Sequence, residues 1–144
     1  MKSQQELSDR LEIQDLITAY SYAIDFHEWD QLDGIFTPDA ELDFTATGGA
    51  AGSLEEIKPW LDKALNLFDG HQHLVGTTKV ELDGDAASSI TLCHNPMWMT
   101  GADGQQHQMF VGLWYRDSFV RTPVGWRMTS RVQQKGYLHG IPGR

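Results

Sequence analysis

Four long strand-forming segments, separated only by short turn sequences, fill the chain after Gly70, and everything that reads as helix precedes them. The segments cover about 72–82, 86–100, 105–121 and 125–135. Asp83-Gly84-Asp85, Gly101-Ala102-Asp103-Gly104 and Thr122-Pro123-Val124-Gly125 separate them. Asp-Gly between alternating apolar and polar residues is a strong hairpin signal, because glycine takes a positive φ without steric cost. Successive hairpins predict a meander of long antiparallel strands. Helices in one block and strands in another argue for an α+β layer architecture. In the last segment, alternation places Trp126, Met128, Ser130 and Val132 on one face and Arg127, Thr129 and Arg131 on the other. The segment from His107 to Val120 is apolar on both faces, which predicts a central strand or one covered by another subunit.

The helical block is legible from its periodicity. From Leu7 to about His27, Ile13, Leu16, Ile17, Tyr20 and Ile24 recur at steps of three or four and define one face. A shorter helix is predicted over Trp29 to Phe36, with Trp29, Leu32 and Phe36 inward and Asp30 and Asp33 outward. Pro38 disfavours helix at the residue before it, so Thr37-Pro38-Asp39 breaks the pattern, and Ala40 to Thr45 reads as a short strand. Residues 46–52 form a flexible, glycine-rich connection. Ser53 then reads as an N-cap with Glu56 completing a capping box. The third helix carries Leu54, Ile57, Leu61, Leu65 and Phe68 and ends near Asp69-Gly70, with Pro59 inside it allowing a later start or a kink. A strongly curved sheet closing over three N-terminal helices leaves a conical cavity. The 144 residues suffice for one such domain, residues 1–144. The aromatic, glycine-rich tail from Gly136 is expected either to cover the cavity mouth or to fray.

Charge narrows the partners. Eleven basic against 20 acidic residues give a net charge of −9, which repels phosphate backbones and anionic lipid surfaces. Neither nucleic acid nor membrane is expected as a partner. Cys93 is alone and forms no internal disulfide, and no cluster has the spacing of a built metal site. No metal and no cofactor is therefore expected, His71 and His107 being at most adventitious ligands. The N-terminus has no apolar signal core and no apolar run approaches the ~20 residues that span a bilayer, so a cytoplasmic location is expected.

Several phrases acquire meaning from their order: Ile13-Gln-Asp-Leu-Ile-Thr-Ala-Tyr20, Ala23-Ile-Asp25-Phe-His-Glu-Trp29, Ile35-Phe-Thr-Pro-Asp-Ala40, Gln72-His73-Leu-Val-Gly76, Leu82-Asp-Gly-Asp-Ala86 and Val124-Gly-Trp-Arg127. Together, from about Leu11 to Val132, they resemble the SnoaL-like branch of the nuclear transport factor 2-like superfamily. That resemblance implies a cone-shaped sheet wrapped around three helices, assembled as a homo-oligomer, dimer or trimer. It implies a small-molecule substrate in the cone. Relatives include polyketide cyclases, scytalone dehydratase, ketosteroid isomerase, limonene epoxide hydrolase and a dehydrochlorinase, beside members without catalysis, so the fold alone does not assign a function.

The resemblance to scytalone dehydratase and to the dehydrochlorinase implies a pairing of Asp25 with His73. A carboxylate on one imidazole nitrogen sets the tautomer and frees the other nitrogen to take a proton. The structural alternative is that Asp25 caps the helix end and His73 is a surface strand residue. His94, on the parity of Ile90, Leu92 and Trp98, aligns with the second histidine of scytalone dehydratase, or else is a hydrogen-bonded core residue. Tyr20 matches the oxyanion tyrosine of ketosteroid isomerase, with plain packing as its alternative. Asp43 falls near that isomerase's general base, while Tyr115 or Arg116 stands where its protonated acid would be. Met109 and Val111 replace a serine and an asparagine of scytalone dehydratase, and Phe44 replaces a tyrosine, so the substrate differs. Trp29, Asp43, Phe44, Phe68, Trp98, Met109, Phe110 and Trp126 are expected to line the pocket, and aromatic walls suit a flat or cyclic apolar ligand. The chemistry expected is a cofactor-independent dehydration, elimination or double-bond shift on a cyclic or polycyclic substrate. The alternatives are a non-catalytic binding or oligomerisation module, or a small-subunit-like partner of a dioxygenase.

Overall fold

The structure, a computed structural model, describes residues 1–140. Helix α1 spans Gln4–Asp25 and starts one turn earlier than periodicity predicts, because a capping box sets its first turn. The Ser3 hydroxyl accepts the Glu6 N–H at 3.1 Å and the Glu6 carboxylate accepts the Ser3 N–H at 2.7 Å. Ile13, Ile17, Tyr20 and Ile24 form its buried face. A 3₁₀ turn, Trp29–Gly34, replaces the expected second helix and buries Leu32. Helix α2, Leu54–Leu65, runs through Pro59 from the predicted cap at Ser53, whose hydroxyl accepts the Glu56 N–H. Phe68 lies beyond its end but still packs on the core.

The strands are β1 (Phe36–Asp43), β2 (Ala51–Ser53), β3 (Gly70–His71), β4 (Leu74–Asp83), β5 (Ala86–Thr100), β6 (Gln106–Thr122) and β7 (Gly125–His139). They form one sheet ordered β2-β1-β7-β6-β5-β3, with β4 also paired to β5. Among the described residues only β1 and β7 pair in parallel; every other pair is antiparallel. The sheet is strongly curled around the helices, the α+β cone expected from the sequence. Strand β1 begins earlier than predicted, and Pro38 sits where its register with β7 shifts, a place that tolerates a residue without an N–H.

Two local features redirect side chains. The first expected strand is broken: β3 and β4 both pair with β5, and Gln72-His73 bridges the gap. On β7, Ser130 faces Ser118 while Met128 faces Phe119, so Thr129 is the extra residue of a β-bulge. The bulge reverses the alternation. Trp126, Met128 and, contrary to expectation, Arg131 are buried, whereas Val132 is exposed. Strand β6 is central, as predicted, but only one of its faces is core. Its other face presents Trp114 to solvent beside Leu92 of β5 and Tyr137 of β7. The tail does not form a flap over the cone as far as His139, which continues β7 opposite Phe110; residues 141–144 lie outside the described residues. Among the described residues no helix is long and apolar enough to cross a membrane.

Candidate active site

Helix α1 ends by delivering Asp25 to the gap between β3 and β4. His27, at φ 55°, turns the chain away in the left-handed region. The Asp25 carboxylate grips the gap at two points. Its Oδ2 accepts the backbone N–H of His73 at 2.9 Å, and its Oδ1 accepts Nδ1–H of the His73 ring at 2.7 Å. The same Oδ1 takes a longer bond, 3.2 Å, from Nδ1 of His71, whose Nε2 shares a hydrogen bond of 2.8 Å with Nε2 of His27. The His27 and His71 rings are nearly parallel and meet edge to edge through this bond, with centroids 5.1 Å apart, and the His27 ring stacks on Trp29.

These contacts set the protonation. Burial pushes the Asp25 carboxyl up, but the side-chain bonds from His71 and His73 and the backbone bond from His73 together hold it well below the usual carboxylate range. Burial lowers the basicity of His73, and the Asp25 hydrogen bond and charge offset this only in part. At neutral pH, His73 is therefore neutral with its proton on Nδ1 and a lone pair on Nε2.

Beside this pair lies a cavity of about 210 Å³ between α1, α2 and the inner face of β5 and β6. His73, Tyr20, Phe44 and Phe68 all line it, with Asn95, Tyr115 and Gln133 adding polar groups. The Tyr20 ring is buried, edge-on to Phe36 and Tyr115, and burial raises its phenol so that it stays a neutral donor. Behind the rings of Tyr20 and Tyr115 lies the Arg131 guanidinium, 4.1 and 3.9 Å from their centroids. Arg131 makes a bidentate pair with buried Asp117, both bonds 2.8 Å, while its Nη1 has no partner among the described residues. Cys93, its thiol pushed up to about 11 chiefly by burial, is a neutral group in the same layer.

The other expected site residues lie elsewhere. His94 shares parity with Leu92 and Trp98 as predicted, but that parity is the outer face. There it stacks on Phe110 and receives the Tyr137 hydroxyl at its Nδ1, 2.8 Å away, so both His94 and Phe110 stand outside the cavity. Trp98 covers Gly70 from the outside, where a Cβ would come within 2.0 Å of the ring. Asp43 caps the following turn by accepting from Thr45 N–H and hydroxyl at 2.9 and 2.6 Å. Trp29 donates to Asp62, Met109 is buried but does not line the cavity, and Trp126 is core, its indole N–H on Asp9 at 3.0 Å.

His71, His27, Asn95 and Arg131 were not anticipated as site residues. His71 had a signal: two positions from His73 in an extended chain, it faces the same way. Asp25, His71 and His73 also bring three metal-ligand atoms within 4.8 Å of one another. The 2.7 Å separation of Nδ1 and Oδ1 is a hydrogen-bond distance; two tetrahedral ligands each at 2.0–2.1 Å from zinc stand about 3.3 Å apart. The trio fits a hydrogen-bonded array, and ligation would require that bond to open.

The model of the SnoaL-like domain matches residues 5–132 of this sequence. The chain belongs to the SnoaL-like domain family. This SnoaL-like protein is 50% identical over 135 residues to an uncharacterized protein of Mycobacterium tuberculosis, covering 94% of this chain and 90% of that one. Among solved structures, a candidate aromatic ring hydroxylase from Novosphingobium aromaticivorans superposes with a TM-score of 0.82 at 27% identity, covering 94% of each chain. Two others share the fold at 18% identity. A candidate scytalone dehydratase from the same species has a TM-score of 0.82 and covers 96% of this chain and 91% of its own. A hexachlorocyclohexane dehydrochlorinase from Novosphingobium barchaimii has a TM-score of 0.78, with 96% and 93% covered.

Proposed function

We propose that this SnoaL-like protein is a cofactor-independent lyase or isomerase acting on a small cyclic or polycyclic substrate by acid–base chemistry. The observation that carries the reading is a buried imidazole, His73, whose Nδ1 lies 2.7 Å from the Asp25 carboxylate and which lines the same cavity as Tyr20. Dehydratase and dehydrochlorinase names among the structural neighbours support an elimination-type reaction.

In this reading, Nε2 of His73 takes a proton from a carbon next to an activating group. Asp25 stabilises the imidazolium that forms, and Tyr20 donates to the substrate oxygen on which charge develops. The electron pair of the broken C–H bond forms the new double bond as a β-hydroxyl departs. That hydroxyl takes the proton back from His73 and leaves as water. In a double-bond shift the same proton returns to another carbon instead. His94 has no part, since it sits on the opposite face of the sheet. Homo-oligomerisation as a dimer or trimer is also proposed, supported by Leu92, Trp114 and Tyr137 on the outer sheet face, and sedimentation equilibrium tests it.

The test is turnover by His73→Ala of a substrate the unaltered protein processes. A fall of ~10²–10⁴-fold is expected, and unchanged turnover leaves only a binding cavity.

A further inference from the structure

Two imidazoles compete for one carboxylate oxygen. Oδ1 of Asp25 accepts from Nδ1 of His73 at 2.7 Å and from Nδ1 of His71 at 3.2 Å, and both rings are buried. The far nitrogen of His71 settles which way its proton points. His71 Nε2 lies 2.8 Å from Nε2 of His27, so that bond carries a proton from one ring or the other. A neutral His71 that donated there would turn a bare Nδ1 toward Oδ1, lone pair against lone pair. His27 is therefore the donor when His71 is neutral, and a protonated His71 donates at both nitrogens. In either state an N–H points at Asp25.

Both ends of this arm are held. His71 sits on β3, where the N–H of Asp69 bonds the Trp98 carbonyl and the N–H of Gln72 bonds the Pro96 carbonyl, pinning the backbone on each side of it. His27 has a φ of 55°, a conformation that costs a histidine more than a glycine. Its ring stacks on Trp29, whose indole N–H is tied to Asp62 at 3.0 Å. A side chain kept in that backbone conformation with its ring on His71 points to a role for the ring.

A general base must rest unprotonated. A carboxylate whose whole charge fell on His73 would draw a proton onto the imidazole and hold it there, and a second donor takes up part of that charge. We propose that His71, locked by His27, is a positioning residue that acts through Asp25: its N–H keeps the carboxylate aligned and withholds part of its charge from His73. The inference deepens the acid–base function proposed above and rests on it. Asp25 from α1, His71 from β3 and Arg131 from β7 all bear on His73, with the phenols of Tyr20 and Tyr115 lining the same cavity. Of these, Asp25 raises its basicity, whereas His71 and Arg131 lower it.

A pH titration of the His73 ring by NMR in the whole chain, beside the pH profile of turnover, tests it. His71→Phe keeps a ring and removes the donor. In that variant His73 is expected to bind its proton about three- to tenfold more tightly, the effect of one net hydrogen bond, and the acidic limb of turnover should move up in pH with it. In His71→Asn the short amide places an N–H near the position of Nδ1, and both readouts should return toward those of the parent. Unchanged or weaker proton binding by His73 in His71→Phe overturns the proposal, as does His71→Asn behaving like His71→Phe. Should either variant fail to fold, the ring-nitrogen shifts of His71 in the unaltered protein decide: Nδ1 must carry a proton at neutral pH, and a bare Nδ1 overturns the assignment. The titration needs no substrate, so its outcome stands even if His73→Ala keeps full turnover, and a failure of the acid–base reading is told apart from a failure of this one.

Discussion

Replacing Asp25 by asparagine removes one charge and almost no volume, yet no orientation of the new amide reproduces the contacts of the carboxylate. Asp25 accepts at both oxygens, from the two imidazoles at Oδ1 and from the His73 backbone at Oδ2. If the amide oxygen stays toward the imidazoles, its NH₂ meets the His73 N–H, donor against donor. One buried bond is then lost at about 1–3 kcal/mol. If the amide flips, its NH₂ faces Nδ1 of His73 and forces the proton to Nε2, removing the lone pair that would act as base. Turnover should fall ~10²–10⁴-fold in either case, since even the first orientation leaves no charge to stabilise an imidazolium. The pH dependence follows from the carboxyl being held below its ordinary ~3.9 in the fold. Its stabilising contribution is complete above that value and is lost as pH falls through the lower folded-state pKa. Urea unfolding at pH 7 and pH 3 should therefore show the gap between the parent protein and Asp25→Asn narrowing at pH 3. Equal gaps at the two pH values, or full turnover by the variant, would refute the reasoning.

Burial holds the His73 imidazole below ~6.5, so below that pH the unfolded chain binds a proton that the fold refuses. The parent protein should lose stability in urea between pH 7.5 and 5.5, and His73→Gln should lose less over the same interval. His94→Ala should keep turnover within about twofold, a steady-state assay being sufficient, because general acid–base contributions require contact with the substrate. Asp117→Asn leaves the Arg131 guanidinium buried without its counter-charge and should cost ~3–5 kcal/mol in urea unfolding, whereas Asp117→Leu combined with Arg131→Met should be near neutral.

Much of the architecture was written in local chemistry. Asp83-Gly84 and the glycine turn before Gln105 announce hairpins wherever the chain is placed, and the apolar face of α1 from Ile13 to Ile24 repeats often enough to survive any packing detail. What was illegible depends on distant partners. The gap at Gln72-His73 coincides with Asp25 holding that backbone, a contact between residues 48 positions apart. Leu92 and Trp98 set the parity of His94 on β5, but large apolar side chains also occur on outer surfaces. That parity is the outer one, so apolar alternation points toward His94 and away from Asn95. On β7, strict alternation held only as far as Thr129, because a bulge is a relation between two strands and leaves no mark in one of them. Arg131 was hidden in the same way.

That one surplus residue at Thr129 has an outsize effect on the hollow of the cone. It acts as a half-turn in the ribbon: everything downstream is rolled over, so a cation stands behind the phenols and Gln133 joins the wall, while an aliphatic side chain, Val132, goes to water. Relatives could exchange a charged floor for a greasy one by losing or gaining a single position there, with every other residue of the strand unchanged. Sorting such proteins by chemistry would then mean counting residues between Trp126 and Arg131 before comparing their identities.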